Sequence, residues 1–196
     1  MRFLCCAAAA LALCAGQPAN AFYAWEAEEA PAPPGWKAFC LQLPQECGVG
    51  AGPVHYILTP GSWQELVKIN KRVNNLIVAQ TDHDHYGVLE HWAYPDDGVG
   101  DCEDYVLLKR RLLMERGWPS SALLITIVLS SLSETHAVLI ARTDQADFVL
   151  DNLTDAVLVW SKTSLLRYYK RQSQEDPNVW VRIKQDPSAV GALRRP

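Results

Sequence analysis

The residues best suited to chemistry lie in one run, Gly98 to Leu113, which reads Gly-Val-Gly-Asp-Cys-Glu-Asp-Tyr-Val-Leu-Leu-Lys-Arg-Arg-Leu-Leu. Two glycines approach Asp101, a good N-cap, and Tyr105, Leu108 and Leu112 with Val106 and Leu113 recur at helical spacing. Cys102 then falls on the first turn of a helix. Free N–H groups and the positive end of the helix dipole there favour thiolate, the form that attacks carbonyls. A nucleophile is one reading of Cys102, and a buried structural cysteine is the other.

A thiolate hydrolase needs a base beside the sulfur and a group to orient that base. His136 opens an apolar segment, His136-Ala-Val-Leu-Ile-Ala141, and Asp151 ends the next, Phe148-Val-Leu-Asp151. A four-residue loop over 142–145 pairs Ala141 with Ala146 and brings His136 opposite Asp151. Directly opposed residues have Cβ atoms ~4.5–5.5 Å apart, within reach of a carboxylate–imidazole hydrogen bond. A one-residue change of loop would send the two side chains to opposite faces. The plainer readings are a satisfied core histidine and a turn aspartate in Asp151-Asn152.

The elements that position these residues read as helices followed by strands. Ser62 and Glu65 form a capping-box pattern ahead of Leu66, Ile69, Val73, Leu76 and Ile77, predicting a helix to about Val78. Pro53 to Leu58 suits a short strand. The Cys102 helix should end near Arg116, where Gly117 and Pro119 block continuation. Strands are then predicted over 122–129, 136–141, 148–153, 156–160 and 179–183, with 164–174 as a solvated connection. This order predicts an α+β fold, helices packed on an antiparallel meander. The polar run 81–100 carries Asp82-His83-Asp84-His85. Imidazole and carboxylate suit transition metals, but neighbours in an extended chain point opposite ways, which favours a loop walling the cleft before Cys102.

Residues 1–21 have the form of a cleavable signal peptide: Arg2, an apolar run from Phe3 to Ala15, and Ala19-Asn20-Ala21. Leu13 before Cys14 is a poor lipoprotein site, so periplasmic export is expected, with no transmembrane segment after cleavage. Cleavage would remove Cys5, Cys6 and Cys14. Cys40 and Cys47 then suit a local disulfide in an oxidising compartment, and Cys102 is the odd thiol. Residues 22–35, rich in Ala, Glu and Pro, read as a flexible leader before a domain over 36–196. The whole chain has 196 residues, 49% hydrophobic and 20% charged, with a formal charge of −4, so it has one domain's length and no basic footprint for nucleic acid.

Gly100-Asp-Cys-Glu-Asp-Tyr105, His136-Ala-Val-Leu139 and Leu150-Asp-Asn152 resemble the bacterial transglutaminase-like cysteine proteinase family, which includes LapG-type periplasmic proteases. The resemblance runs from about residue 35 to 181. It implies a papain-like, transglutaminase-like core with Cys102 as nucleophile, His136 as general base and Asp151 as orienter. It also implies cleavage of a periplasmic or surface protein such as a large adhesin, and an inner-membrane regulatory receptor as partner. Asp101 and Glu103 match positions that bind calcium in LapG-type members. Calcium takes roughly 6–8 oxygens, so residues such as Asp84, Asp97 or Asp104 would complete the shell. The alternative is that Asp101 only caps the helix and Glu103 only complements its dipole. An acyl transferase with the same triad, or a non-catalytic periplasmic binding module, are the rival functions. Trp92 is a candidate oxyanion donor or an aromatic wall of the cleft.

Overall fold

Strand β4 (Leu123–Leu129) is apolar at all positions but Thr126, and β5 (Thr135–Arg142) is apolar from Ala137 to Ala141, because their sheet is covered on both faces. The computed structural model describes residues 24–50, 52–129, 134–163 and 167–184; the expected signal peptide lies outside them. With β1 (Trp25–Ala30), β6 (Asp147–Leu150), β7 (Leu158–Val159), β8 (Arg167–Gln172) and β9 (Trp180–Lys184), the main sheet has the order β1-β9-β8-β4-β5-β6-β7; β2 (Val78–Ala79) and β3 (Val99–Gly100) form a separate parallel pair. Every neighbouring pair in the main sheet is antiparallel. Leu123, Ile125, Leu139 and Ala141 face one core with helices α1 (Pro34–Gln42), α2 (Pro60–Leu76) and α4 (Cys102–Met114). Leu124, Val128, Val138 and Ile140 face a second core with Trp160 and Tyr168. The fold is α+β, helices on an antiparallel sheet.

Helix α4 is central to that packing. Tyr105, Val106, Leu107, Leu108 and Leu113 are all buried, and the helix lies against β5 and α2. Gly117, at φ +87°, turns the chain out of the helix in a backbone state that glycine adopts without strain. Helix α2 begins earlier than the Ser62/Glu65 pattern predicts. Thr59 is the N-cap, accepting the Ser62 N–H, while Ser62 Oγ accepts the Thr59 N–H at 2.9 Å. Pro60 makes this possible, since a first-turn proline loses no helical hydrogen bond. Glu65 instead accepts the Trp118 ring N–H.

Three stretches are built differently from what the sequence predicts. The stretch 53–58 forms a single bridge, Tyr56 to Thr143, rather than a strand. The stretch 22–35, expected as a leader, contributes β1 to the sheet edge and the first turn of α1. Glu26 there pairs with Arg171 and Glu28 with Arg182, so its acids meet cations on the strands beside it. The connection 164–174, of which 164–166 lie outside the described residues, supplies β8, an inner strand between β9 and β4. The order is therefore not a simple meander, because the chain returns from β7 to the far side of β4. Arg171 on β8 is fully buried, facing Asp147 at 3.6 Å and Glu26 at 2.9 Å. Its charge reads as solvent-facing only while these distant partners are unknown.

A candidate active site at the start of α4

Helix α4 starts with its nucleophile candidate at the first helical position. The Asp104 carboxylate reaches back to accept the Asp101 N–H at 3.3 Å, closing a capping box. Gly100 permits this, since a Cβ there would lie 2.7 Å from Asp104 Oδ2. Cys102 is thereby held at the rim of a cavity of about 350 Å³, half-buried and the one free cysteine among the described residues. Its thiol donates to Glu103 Oε2 at 3.1 Å and its sulfur accepts the Ala137 N–H at 3.3 Å. Burial pushes the thiol well above its ordinary range, and the Glu103 carboxylate adds to that. Burial and the neighbouring acid thus oppose the thiolate that the helix terminus favours. A helix end is worth about 0.3–1 kcal/mol to a nearby charge, too little to offset burial beside an acid.

His136 is the second residue of β5, one before the amide that touches the sulfur, and it lines the same cavity. Its Nε2 lies 2.8 Å from Asp151 Oδ1. An ionised carboxylate only accepts, so Nε2 carries the proton and Nδ1 is the basic nitrogen. The hairpin loop has four residues, 143–146, one step later than expected, with Arg142 paired to Asp147 and Leu139 to Leu150. Two residues of register separate this from a direct His136–Asp151 pairing. An even shift preserves the face, and the side chains meet as diagonal neighbours. Burial would raise the Asp151 pKa. Hydrogen bonds from His136 and the Leu153 N–H, with the charge of Lys109, outweigh it and hold the carboxyl below its ordinary value.

Besides the start of α4, Ile127 of β4 and the start of β5, three further stretches wall the cavity. The 81–100 stretch contributes Leu89, Glu90 and Trp92, as a loop fronting Cys102 was expected to do. Pro33 and Pro34 and the β8 residues Tyr169 and Lys170 line it as well, from stretches whose sequence reads as leader and connection. Trp92 is an aromatic wall: it is buried, and its ring N–H donates to Glu90 Oε1 at 2.9 Å.

Acidic side chains crowd beneath the helix start. Asp82, Asp101 and Asp104 each bring a carboxylate oxygen within 4.8 Å of the others, and Asp101, Cys102 and Glu103 form a second such group. Asp101 Oδ1 is buried with no hydrogen-bond partner among the described residues. Burial and the Asp101 carboxylate raise Glu103 to about 9, and burial raises Asp104 to about 7. Asp84 and Asp97 stand apart, beside His83 and His85. Asp82 is the member that sequence reading missed. It starts a short helix, α3 (Asp82–Tyr86), where a loop was expected, and its N–H donates to Asp101 Oδ2 at 3.3 Å.

Comparison with known proteins gives the family. Residues 26–188 match the family model of the bacterial transglutaminase-like cysteine proteinases. Legionella pneumophila LapG in its calcium-bound form is 27% identical, with a TM-score of 0.54 over 70% of this chain and 80% of that one. The EGTA-treated form of LapG is 26% identical, with a TM-score of 0.52 over 70% and 79%. No curated protein sequence matches the chain. The chain belongs to the bacterial transglutaminase-like cysteine proteinase family and is a cysteine peptidase.

Proposed function

We propose that Cys102, His136 and Asp151 are the catalytic nucleophile, general base and orienter, and that they hydrolyse a peptide bond through a thioester. The observation that carries this is the 2.8 Å His136–Asp151 hydrogen bond, formed beside a thiol that rests on the Ala137 amide. His136 Nδ1 takes the Cys102 proton, and the sulfur attacks the scissile carbonyl carbon. As the tetrahedral adduct collapses, the C–N bond breaks and the imidazolium gives its proton to the leaving amine. Water then attacks the thioester, His136 accepts its proton, and the acid leaves as the thiol re-forms. The backbone N–H of Cys102, in the first turn of α4, suits the oxyanion. The substrate proposed is a periplasmic or surface protein, with a large adhesin the type suggested by the LapG likeness and export by the signal-like residues 1–21.

Calcium belongs to the same reading. The acidic cluster fits a hard, oxygen-seeking cation: Asp101 keeps a buried, unpartnered oxygen, and Glu103 is raised by burial beside it. Asp101, shared by both groups, and Glu103 would hold the ion, with Asp82 and Asp104 each bringing a carboxylate oxygen within 4.8 Å of Asp101. Bound calcium supplies positive charge beside the nucleophile. LapG's calcium-bound and EGTA-treated forms support the assignment by likeness.

The test is a peptidyl electrophile offered to the disulfide-intact protein. Labelling confined to Cys102, and lost in His136→Ala, is expected. Equal labelling of the His136→Ala variant would overturn the base assignment.

A further inference from the structure

Lys109 lies on α4 two turns beyond Cys102, with a relative exposure of 0%, and its Nζ has no hydrogen-bond partner among the described residues. A buried ammonium is costly, and packing alone would be better served there by leucine or methionine. The groups facing it are the Asp151 and Asp155 carboxylates and the Tyr105 ring, whose centroid is 5.9 Å from Nζ. Burial pushes the ammonium down to about 7, and the two carboxylates oppose that fall.

The turn bearing those carboxylates is gripped from a second helix. Asn74 on α2 donates to the Asp151 and Thr154 carbonyl oxygens, both at 3.0 Å, and to Asp155 Oδ1 at 3.3 Å. Asn70, one turn earlier and fully buried, donates to the same Thr154 oxygen at 2.9 Å. Two asparagines of α2 thus hold the backbone of residues 151–155, while the charge of the buried Lys109 on α4 is felt by their carboxylates. These residues follow β6, where the sheet no longer holds the chain.

We propose that Lys109 and Asn74 are positioning residues that act through Asp151: Asn74 fixes the backbone of its turn, and the buried Lys109 charge holds its carboxylate ready to orient His136. This inference rests on the Cys102–His136–Asp151 reading. Lys109 and Asn74 touch no reacting atom. They determine whether the imidazole is held in one tautomer and aimed at the sulfur. The other charged or titratable groups facing Asp151 are His136 and the Tyr168 phenol.

The experiment uses the mature, disulfide-intact protein, whose single free thiol reports on Cys102 through iodoacetamide alkylation at one fixed pH. Histidine labelled with ¹⁵N reports the downfield Nε2–H proton of His136, assigned by its absence in His136→Ala. Lys109→Met should slow alkylation on the order of ten-fold and abolish or broaden that resonance, while Lys109→Arg keeps it. Should Lys109→Met not fold, Asn74→Ala carries the test, with slower alkylation and a broadened resonance expected. A folded Lys109→Met, or in its place Asn74→Ala, with the parent's rate and resonance would overturn the inference. Unchanged alkylation in His136→Ala would instead overturn the triad itself.

Discussion

The Cys102 thiol donates to the carboxylate of Glu103, the next residue on its own helical turn, 3.1 Å away. A thiol held this way is protonated and partnered. Asp101 also brings a carboxylate oxygen within 4.8 Å of Glu103 and of the sulfur, so the side chains flanking the nucleophile form one unit with it. Whatever neutralises that unit changes the reactivity of the sulfur.

Calcium is the expected neutralising agent. Chelation should slow Cys102 alkylation and lower the melting temperature together. Ca²⁺ should restore both, and Mg²⁺ should do so poorly because it demands stricter octahedral geometry. Asp101→Asn separates this from simple capping, since asparagine caps a helix as well as aspartate but brings no charge. Calorimetry should show weaker calcium binding in Asp101→Asn with little change in metal-free stability. Equal calcium binding by the parent and this variant would remove Asp101 from the shell.

The cysteines offer a simpler check. Cys40 and Cys47 are bonded, with Cα atoms 5.6 Å apart, and Cys102 is free. Mass spectrometry of the mature protein without reduction should find one alkylated cysteine, Cys102, and a Cys40–Cys47 bridge. A bridge to Cys102 would contradict the arrangement.

Turnover should depend on the triad as a unit. Cys102→Ala and His136→Ala should each lower kcat by ~10³-fold or more, and the double variant should lose little beyond either one. Asp151→Asn should retain a small residue of activity, because the imidazole still samples the productive tautomer. Additive losses in the double variant would contradict a shared step.

Stability should report the same pair. Asp151 has a folded pKa below its ordinary 3.8, so its contribution is present above that value and lost as pH falls through the folded pKa. The melting-temperature gap between the parent and Asp151→Asn should be full above about pH 5 and close on further acidification. A gap independent of pH would mean that the His136–Asp151 bond carries no charge.

What the sequence reveals of this molecule is mostly what neighbouring residues decide. The Cys102 helix, the strand bearing His136 and the hairpin to Asp151 follow from capping, periodicity and a loop length, and a two-residue register difference leaves the face unchanged. Strand β8 is hidden because Arg171 reads as solvent-facing without Glu26 and Asp147 beside it. Strand β1 is hidden for the complementary reason, as its acids are neutralised by β8 and β9. Asp82 joins the acidic cluster through a fold-back of the 81–100 stretch that no local periodicity encodes. Long-range charge pairing is thus what the sequence conceals, in the sheet and in the site alike.

Peptide-bond hydrolysis by Cys102 is tested most directly by comparing protein N-termini in the envelope and medium of cells making the parent or the Cys102→Ala variant. New N-termini on an envelope or surface protein, present with the parent, absent with Cys102→Ala and regenerated by adding purified parent protein, are the expected result. Identical N-termini in both strains, or amide cross-links that appear with Cys102 in place of cleaved ends, would contradict it, the latter by showing that the thioester passes to an amine rather than to water.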